Sequence, residues 1–471
     1  MQDQPTPAAE HAGTPQKVIG LREAIAIIVG IVIGAGIFKA PALVAGMTGS
    51  ATWMFSAWLL GGAISLAGAL CYAELATAYS HTGGDYHFLR RAYGRSVSFL
   101  FGWARFSVIT TGSIALLAFV FGDYMHELMP LPALDKTISE SAYAALAIVV
   151  LSWINLRGTY SAAATQSWLT ALEVLGLLLI AAAAFVTPGQ AAAALPAPGQ
   201  SPPAAASLGM AMVFVLLTYG GWNEAAYISA ELKDVRRNMV RSLVWSIFII
   251  TCLYLLVTWA YWKVLGIEGV ARSDAVAADV LQAAFGQSGA RLISAIVAVS
   301  ALTSINATMI VGARTSHAVG HDWPVLSMLG AWDGRRGTPA NALRIQCVAA
   351  LLLVAVGTWT GSGFKSMVEF TAPVFWLFFL LAGISLFVLR RREPSAERPF
   401  RVPLYPLLPA LFCATCAFML WSSLSYVYSQ SLGGLNAAWI GVAVLAAGLV
   451  LLLLMRSRHD ERRRSAFRSI S

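Results

Sequence analysis

The sequence predicts an all-α integral membrane protein of twelve transmembrane helices, built as two five-helix repeats of opposite orientation followed by two further helices. Three observations carry that reading. Hydrophobic residues make up 58% of the 471-residue chain and charged residues only 12%, about half the charged share of a soluble protein. Apolar runs of roughly 20 residues, long enough to cross a bilayer as helices, begin near Leu21, Trp53, Val97, Ala142, Gln166, Leu208, Leu243, Leu292, Ile345, Met367, Leu407 and Leu435. Finally, glycines interrupt the first and sixth runs, as Gly34-Ala35-Gly36 and as Tyr219-Gly220-Gly221-Trp222-Asn223.

Taken in order, residues 1–17 are polar and proline-containing and read as a disordered arm; no basic stretch opens them as it would a signal peptide. Residues 18–187 hold the first five runs. Residues 188–206, rich in Ala, Pro and Gly and without charge, read as a flexible external connector. Residues 207–392 hold the second five runs, 393–455 the last two, and 456–471 form a basic tail. The formal charge of +9 is explained by position. Most Lys and Arg fall in alternate loops, among them Arg90, Arg91, Arg236, Arg237, Arg390 to Arg392 and the tail. The opposite side carries only Lys39, Lys136, Lys263, Arg272, Arg291 and Lys365. Such asymmetry places both termini in the cytoplasm of a cell-membrane protein. It leaves no basic surface calling for nucleic acid.

Several chemistries are disfavoured. Cys413-Ala-Thr-Cys416 has redox spacing but sits in an apolar run without the βαβ context. His317 and His321 lack the glutamate of a zinc-protease helix, since Ala318 stands there. No cofactor or metal is expected, no in-span cluster offers an enzyme's nucleophile and base, and no soluble segment is long enough for an ATPase domain.

The interruptions point instead to binding. Glycine resists helix most among ordinary residues, and non-helical backbone at membrane depth is tolerated only inside protein or along a cavity. The breaks lie five runs apart, in the first and sixth, and this odd spacing makes the repeats they belong to inverted, the pattern that marks a transporter's midplane site. Half-helix ends there offer N–H groups to an anion and carbonyls to a cation. An amino acid, with its carboxylate and ammonium, is the simplest match.

Several motifs resemble the amino acid–polyamine–organocation superfamily. Gly30-Ile-Val-Ile-Gly34-Ala-Gly36-Ile-Phe38 is similar to its first helix. Tyr72-Ala-Glu74, Thr82-Gly83-Gly84-Asp85-Tyr86 and Ala92-Tyr93-Gly94 match the second helix and following loop. Tyr219 to Glu224 with Glu231 match the sixth helix, and Gly312-Ala313-Arg314 continues the likeness. Leu389-Arg-Arg-Arg-Glu-Pro394 and Arg398-Pro-Phe-Arg-Val-Pro403 are closest to the L-type amino acid transporter branch and its bacterial relatives. The resemblance implies a leucine-transporter-like fold and alternating access. It implies that amides of Ile33, Gly34, Ala35, Gly36 and Ile37 hold the substrate carboxylate, that carbonyls of Leu217, Thr218 and Gly220 take the ammonium, that Tyr219 is among the substrate-binding residues, and that Trp222 and Asn223 line the pocket or its gate.

There are two departures. The loop from Lys233 to Met239 lacks the family's usual proline. Glu173 stands where members often carry a lysine thought to replace sodium, so the coupling ion stays open, with a proton as one route. Arg105 and Glu173 each lie roughly 12–14 Å inside the cytoplasmic surface at the helical rise. An isolated charge there is costly; either the two pair within the membrane and influence coupling, or Glu173 is protonated, or they are independent, with Arg105 snorkelling to the cytoplasmic interface and Glu173 facing an aqueous vestibule. The reading that follows is a secondary amino-acid transporter, permease or exchanger, working in a lipid bilayer. A polyamine permease of the same fold and a transporter-fold sensor are the alternatives.

Overall fold

The computed structural model describes residues 19–81, 83–157, 163–188, 203–227, 229, 232–331, 333, 338–430 and 437–468. The arm, connector residues 189–202, Glu231 and the end of the tail lie outside them. Among the described residues all regular structure is helical, and strand-like pairing is limited to two isolated bridges, Ile19 with Leu232 and Asp333 with Thr338.

The first apolar run forms α1 (Leu21–Val32) and α2 (Ala40–Thr48), with a 3₁₀ turn at Ala35–Phe38 between them. Next come α3 (Ala51–Ala78), the short amphipathic α4 (Gly84–Tyr93), and α5 (Arg95–Ala104), which continues through a π turn at Arg105–Ile109 into α6 (Thr110–Leu128). The first half closes with α7 (Lys136–Leu156) and α8 (Ala163–Val186). The sixth run forms α9 (Ala205–Thr218) and a 3₁₀ segment, Trp222–Ala226. It is followed by α10 (Val235–Arg272), α11 (Val276–Asp322), α12 (Ala340–Trp359), α13 (Gly363–Arg392), α14 (Leu407–Gln430) and α15 (Ala437–Arg468).

Nine helices among the described residues are long and apolar enough to cross a membrane: α3, the joined α5–α6, α7 and α10 to α15. A shorter apolar stretch lies in α8, at Thr170–Val186. The first and sixth runs are absent from the nine because their glycines cut them into pieces. Two helices are longer than a span requires. α10 and α11 each turn a corner at a glycine with left-handed φ, Gly266 (φ 68°) and Gly286 (φ 66°), a conformation glycine adopts without a Cβ penalty. Segments 267–272 and 276–285 therefore form a small helical hairpin, which hydropathy alone does not separate from the adjoining spans.

Small residues let these helices close on one another, as is usual between membrane helices. A Cβ at Gly112 of α6 would lie 2.2 Å from Thr371 of α13, and one at Gly312 of α11 would lie 2.2 Å from Thr110 of α6. α6 runs along α11 and α7, α3 along α10, and α13 between α14 and α15. The interrupted α1–α2 and α9 segments sit inside this frame, with Ile28, Ile33, Ala35, Ile37, Phe38 and Tyr219 all buried.

Candidate functional site

The break in the first run begins where α1 ends at Val32. Ile33 (ψ 82°) and Gly34 (φ −112°, ψ −172°) leave the helical region before the 3₁₀ turn starts at Ala35. The first amides of such a turn have no partner within it, so Ala35 and Gly36 carry N–H groups the helix does not use. A Cβ at Gly34 would meet nothing within 4 Å, and one at Gly36 would make ordinary contact, 3.5 Å, with Thr218. The backbone here borders open space and the second break.

That second break begins after Thr218. The Gly220 amide donates to Leu217 O at 3.0 Å, and Gly221 adopts φ 109°, where a side chain is strained. A Cβ at Gly220 would lie 2.8 Å from Leu217 O, and one at Gly221 would lie 2.9 Å from Ile31 of α1. The two breaks thus touch. Tyr254 of α10 ties them: its hydroxyl lies 2.9 Å from Val32 O and 3.1 Å from Thr218 O, the last carbonyls of α1 and α9. Tyr124 caps Phe38 O in the same way at 2.9 Å. Neither tyrosine is marked in the sequence, because each reaches the break from a distant helix.

The residues expected around the pocket divide. Ile33 to Ile37 and Leu217 to Gly220 come together at the two breaks. Tyr219 packs against Trp58 and Tyr254 (ring centroids 6.1 and 5.1 Å) and donates to Trp58 O at 3.1 Å. Trp222 packs into an aromatic cluster with Tyr72, Phe379 and Phe412, at 5.2, 5.7 and 6.3 Å. Asn223 is buried beside Asp85 of α4.

The expected pairing of Arg105 with Glu173 is not what the structure has. Arg105, on the π turn, donates to Tyr227 Oη at 2.8 Å and to both oxygens of Glu224 at 3.1 and 3.3 Å. Glu173 of α8 instead accepts from Ser300 of α11. Its other oxygen is buried without a hydrogen-bond partner. Helical rise fixes depth, but the direction a side chain faces is set by packing; α8 lies against α11 and α10, while the π turn faces the segment after α9.

Two closures bracket the breaks. At the end of the bundle holding α4, Asp85 sits buried among Tyr72, Asn223 and Tyr227, whose hydroxyl is 3.5 Å away. Burial pushes its carboxyl up to about 6, against the opposing pull of the Tyr72 hydroxyl and the Arg105 charge. At the same end Glu74 of α3, 2% exposed, holds Arg390 through both oxygens at 2.7 and 2.6 Å and accepts the Val402 amide at 2.7 Å. This contact unites three stretches, Tyr72-Ala-Glu74, Leu389 to Pro394 and Arg398 to Pro403, that are far apart in sequence. A cavity of about 800 Å³ opens at this end, with Arg105, Phe106 and Tyr227 in its wall. At the other end of α5–α6, Lys39 pairs with Asp123 at 2.7 Å and donates to Asp274 O at 2.7 Å, and Lys136 reaches the Asp274 carboxylate at 2.6 Å. These contacts fasten the hairpin beside Gly266 and Gly286 over the breaks.

Helices of membrane length packed around two adjoining backbone breaks are consistent with a membrane transport protein. The chain belongs to the amino acid permease family, whose model matches residues 19–452. It is 28% identical over 410 residues to the human b(0,+)-type amino acid transporter 1, covering 86% of this chain and 82% of that one. It is 27% identical over 445 residues to the mouse Asc-type amino acid transporter 1, covering 93% and 81%. With the serine/threonine exchanger SteT of Bacillus subtilis (strain 168) it shares 28% identity over 416 residues, covering 87% and 91%. These relatives are named as transporters, not as enzymes.

Proposed function

We propose that this protein is a secondary transporter that carries free α-amino acids across the cell membrane by alternating access, the substrate resting between the two breaks. The observation that carries this reading is the junction made by Tyr254, which holds the ends of α1 and α9 together and leaves Gly36 beside Thr218. Of the five expected amides, Ile33 N already donates to Val29 O and Gly34 N to Val32 O, both at 2.8 Å, so the amides of Ala35 and Gly36 are favoured to take the carboxylate. Of the three expected carbonyls, Leu217 O already accepts from Gly220 and Thr218 O from Tyr254, so Gly220 O is the favoured ammonium acceptor. Trp222 and Asn223 then act behind the pocket rather than in it. The names of the relatives support an amino-acid cargo, and one is an exchanger.

In this reading α1–α2, α8 and α9 with its 3₁₀ segment join the nine longer spans to make twelve crossings. Residues 18–187 and 207–392 are the inverted five-helix repeats, residues 393–455 carry the last two helices, and both termini are cytoplasmic. The bilayer surrounds the apolar faces, the α4 end is cytoplasmic and the Lys39 closure extracellular. Glu173 stays the coupling candidate, now without Arg105. It is a buried carboxyl whose hydrogen-bond partner is a serine, flanked on α10 by Tyr254, and a proton is the smallest counter-charge that fits. Uptake of a labelled neutral amino acid into proteoliposomes, with and without amino acid loaded inside, tests the function. Uptake stimulated by internal amino acid is expected of an exchanger and uptake driven by a proton gradient of a symporter; no uptake under either condition overturns the reading.

A further inference from the structure

The Arg105 guanidinium is only partly satisfied within the protein. Its Nη1 is taken by Tyr227 and its Nη2 by Glu224, but its Nε–H is buried and has no hydrogen-bond partner. Buried donors are rarely left so, and Nε and Nη2 form the edge on which a carboxylate binds with two oxygens. The pair is only partly shielded, with side chains 13% and 29% exposed. It also stands in a particular place. Glu224 lies in the 3₁₀ segment that starts beside Gly221, and Arg105 and Tyr227 form part of the wall of the 800 Å³ cavity. The pair therefore stands between the breaks and the cavity. Arg105 opens a π turn, an irregularity that recurs at functional sites.

We propose that Arg105 and Glu224 form a second amino-acid subsite on the cytoplasmic side, through which a zwitterion passes by ion-pair exchange. The substrate carboxylate takes the Nε/Nη2 edge of Arg105 and its ammonium takes the Glu224 carboxylate. One ion pair becomes two, and every charge keeps a partner throughout. A ligand with only one charged group would leave Arg105 or Glu224 unpaired in a half-buried position, which is costly. The same pair thus closes the path and selects zwitterions on it. This inference rests on the transport reading above.

The test is analogue competition measured separately on the two faces of proteoliposomes of uniform orientation. In wild type, both the decarboxylated amine and the deaminated acid compete poorly from either face. In Arg105→Gln the amine gains at least about tenfold relative to the parent amino acid, from the cytoplasmic face only, since one set of charge-assisted hydrogen bonds no longer favours the parent. In Glu224→Gln the acid gains in the same way and on the same face. Should a single variant misfold, the neutral pair Arg105→Gln with Glu224→Gln keeps hydrogen bonding and should lose both preferences together on that face. Unchanged selectivity on the cytoplasmic face, or equal change on both faces, overturns the subsite and leaves an ordinary latch. Failure of wild type to exchange any amino acid would instead overturn the transport reading itself.

Discussion

Gly36 and Gly221 mark opposite limits of what each break tolerates. A methyl group fits beside Thr218 at Gly36, whereas at Gly221 it meets Ile31 and the φ of 109° excludes it. Gly36→Ala is therefore expected to keep substantial transport and Gly221→Ala to lose it. Gly36→Val and Gly220→Val should both fail, through β-branching against Thr218 and a clash with Leu217 O respectively. All four should insert, because hydropathy barely changes, so uptake normalised to the amount of protein in the membrane is the measurement. The glycines were legible in the sequence since their chemistry is local. Tyr254 and Tyr124 were not, because a tyrosine in an apolar helix looks like packing until its partner is seen. Asp85 adds a pH dependence. Its raised carboxyl prefers to be protonated in the folded protein, so folding stability from this group is lost as pH climbs from about 4 to about 6. Asp85→Asn should flatten that decline in thermal melts across this range, relative to wild type.

Hydropathy places most helix starts within about six residues, but α10 begins at Val235 and α11 at Val276, ahead of the starts expected near Leu243 and Leu292, and it does not place the helices' faces. The rise per residue gives Arg105 and Glu173 a common expected depth but says nothing of their partners. Their partners depended on which neighbour each helix packs against, and these proved to be Glu224 and Ser300. The corners at Gly266 and Gly286 were likewise hidden, since helical propensity continues on both sides. Family-like motifs in α3 and after α13 were visible as sequence, yet only the fold brings Glu74 to Arg390 and the Val402 amide. Removing one partner of a buried pair costs about 3–5 kcal/mol, and the 19% exposure of Arg390 puts Glu74→Gln near the lower end. A clear drop in melting temperature in detergent is expected, with Arg390→Gln close to it in size because the same pair is lost.

For the molecule as a whole, polar contacts gather at both ends of the helix bundle. Lys39 with Asp123 and Asp274 secures one end, and Arg105 with Glu224 secures the other. We propose Glu173, a buried carboxyl of α8, as the group that carries the coupled ion that net movement against a gradient needs. Glu173→Gln should flatten the pH dependence of uptake while leaving counterflow exchange in place; an unchanged pH profile would remove Glu173 from coupling. The central claim, that the two breaks grip both charged ends of a free amino acid, is tested most directly by competition for labelled amino-acid uptake from the extracellular side. Each lost set of charge-assisted hydrogen bonds should weaken binding by about 1.5–3 kcal/mol, more than tenfold. The account predicts that the parent amino acid competes fully while its decarboxylated amine and its deaminated acid each fall at least that far behind. A decarboxylated amine that competes as well as its parent would contradict it.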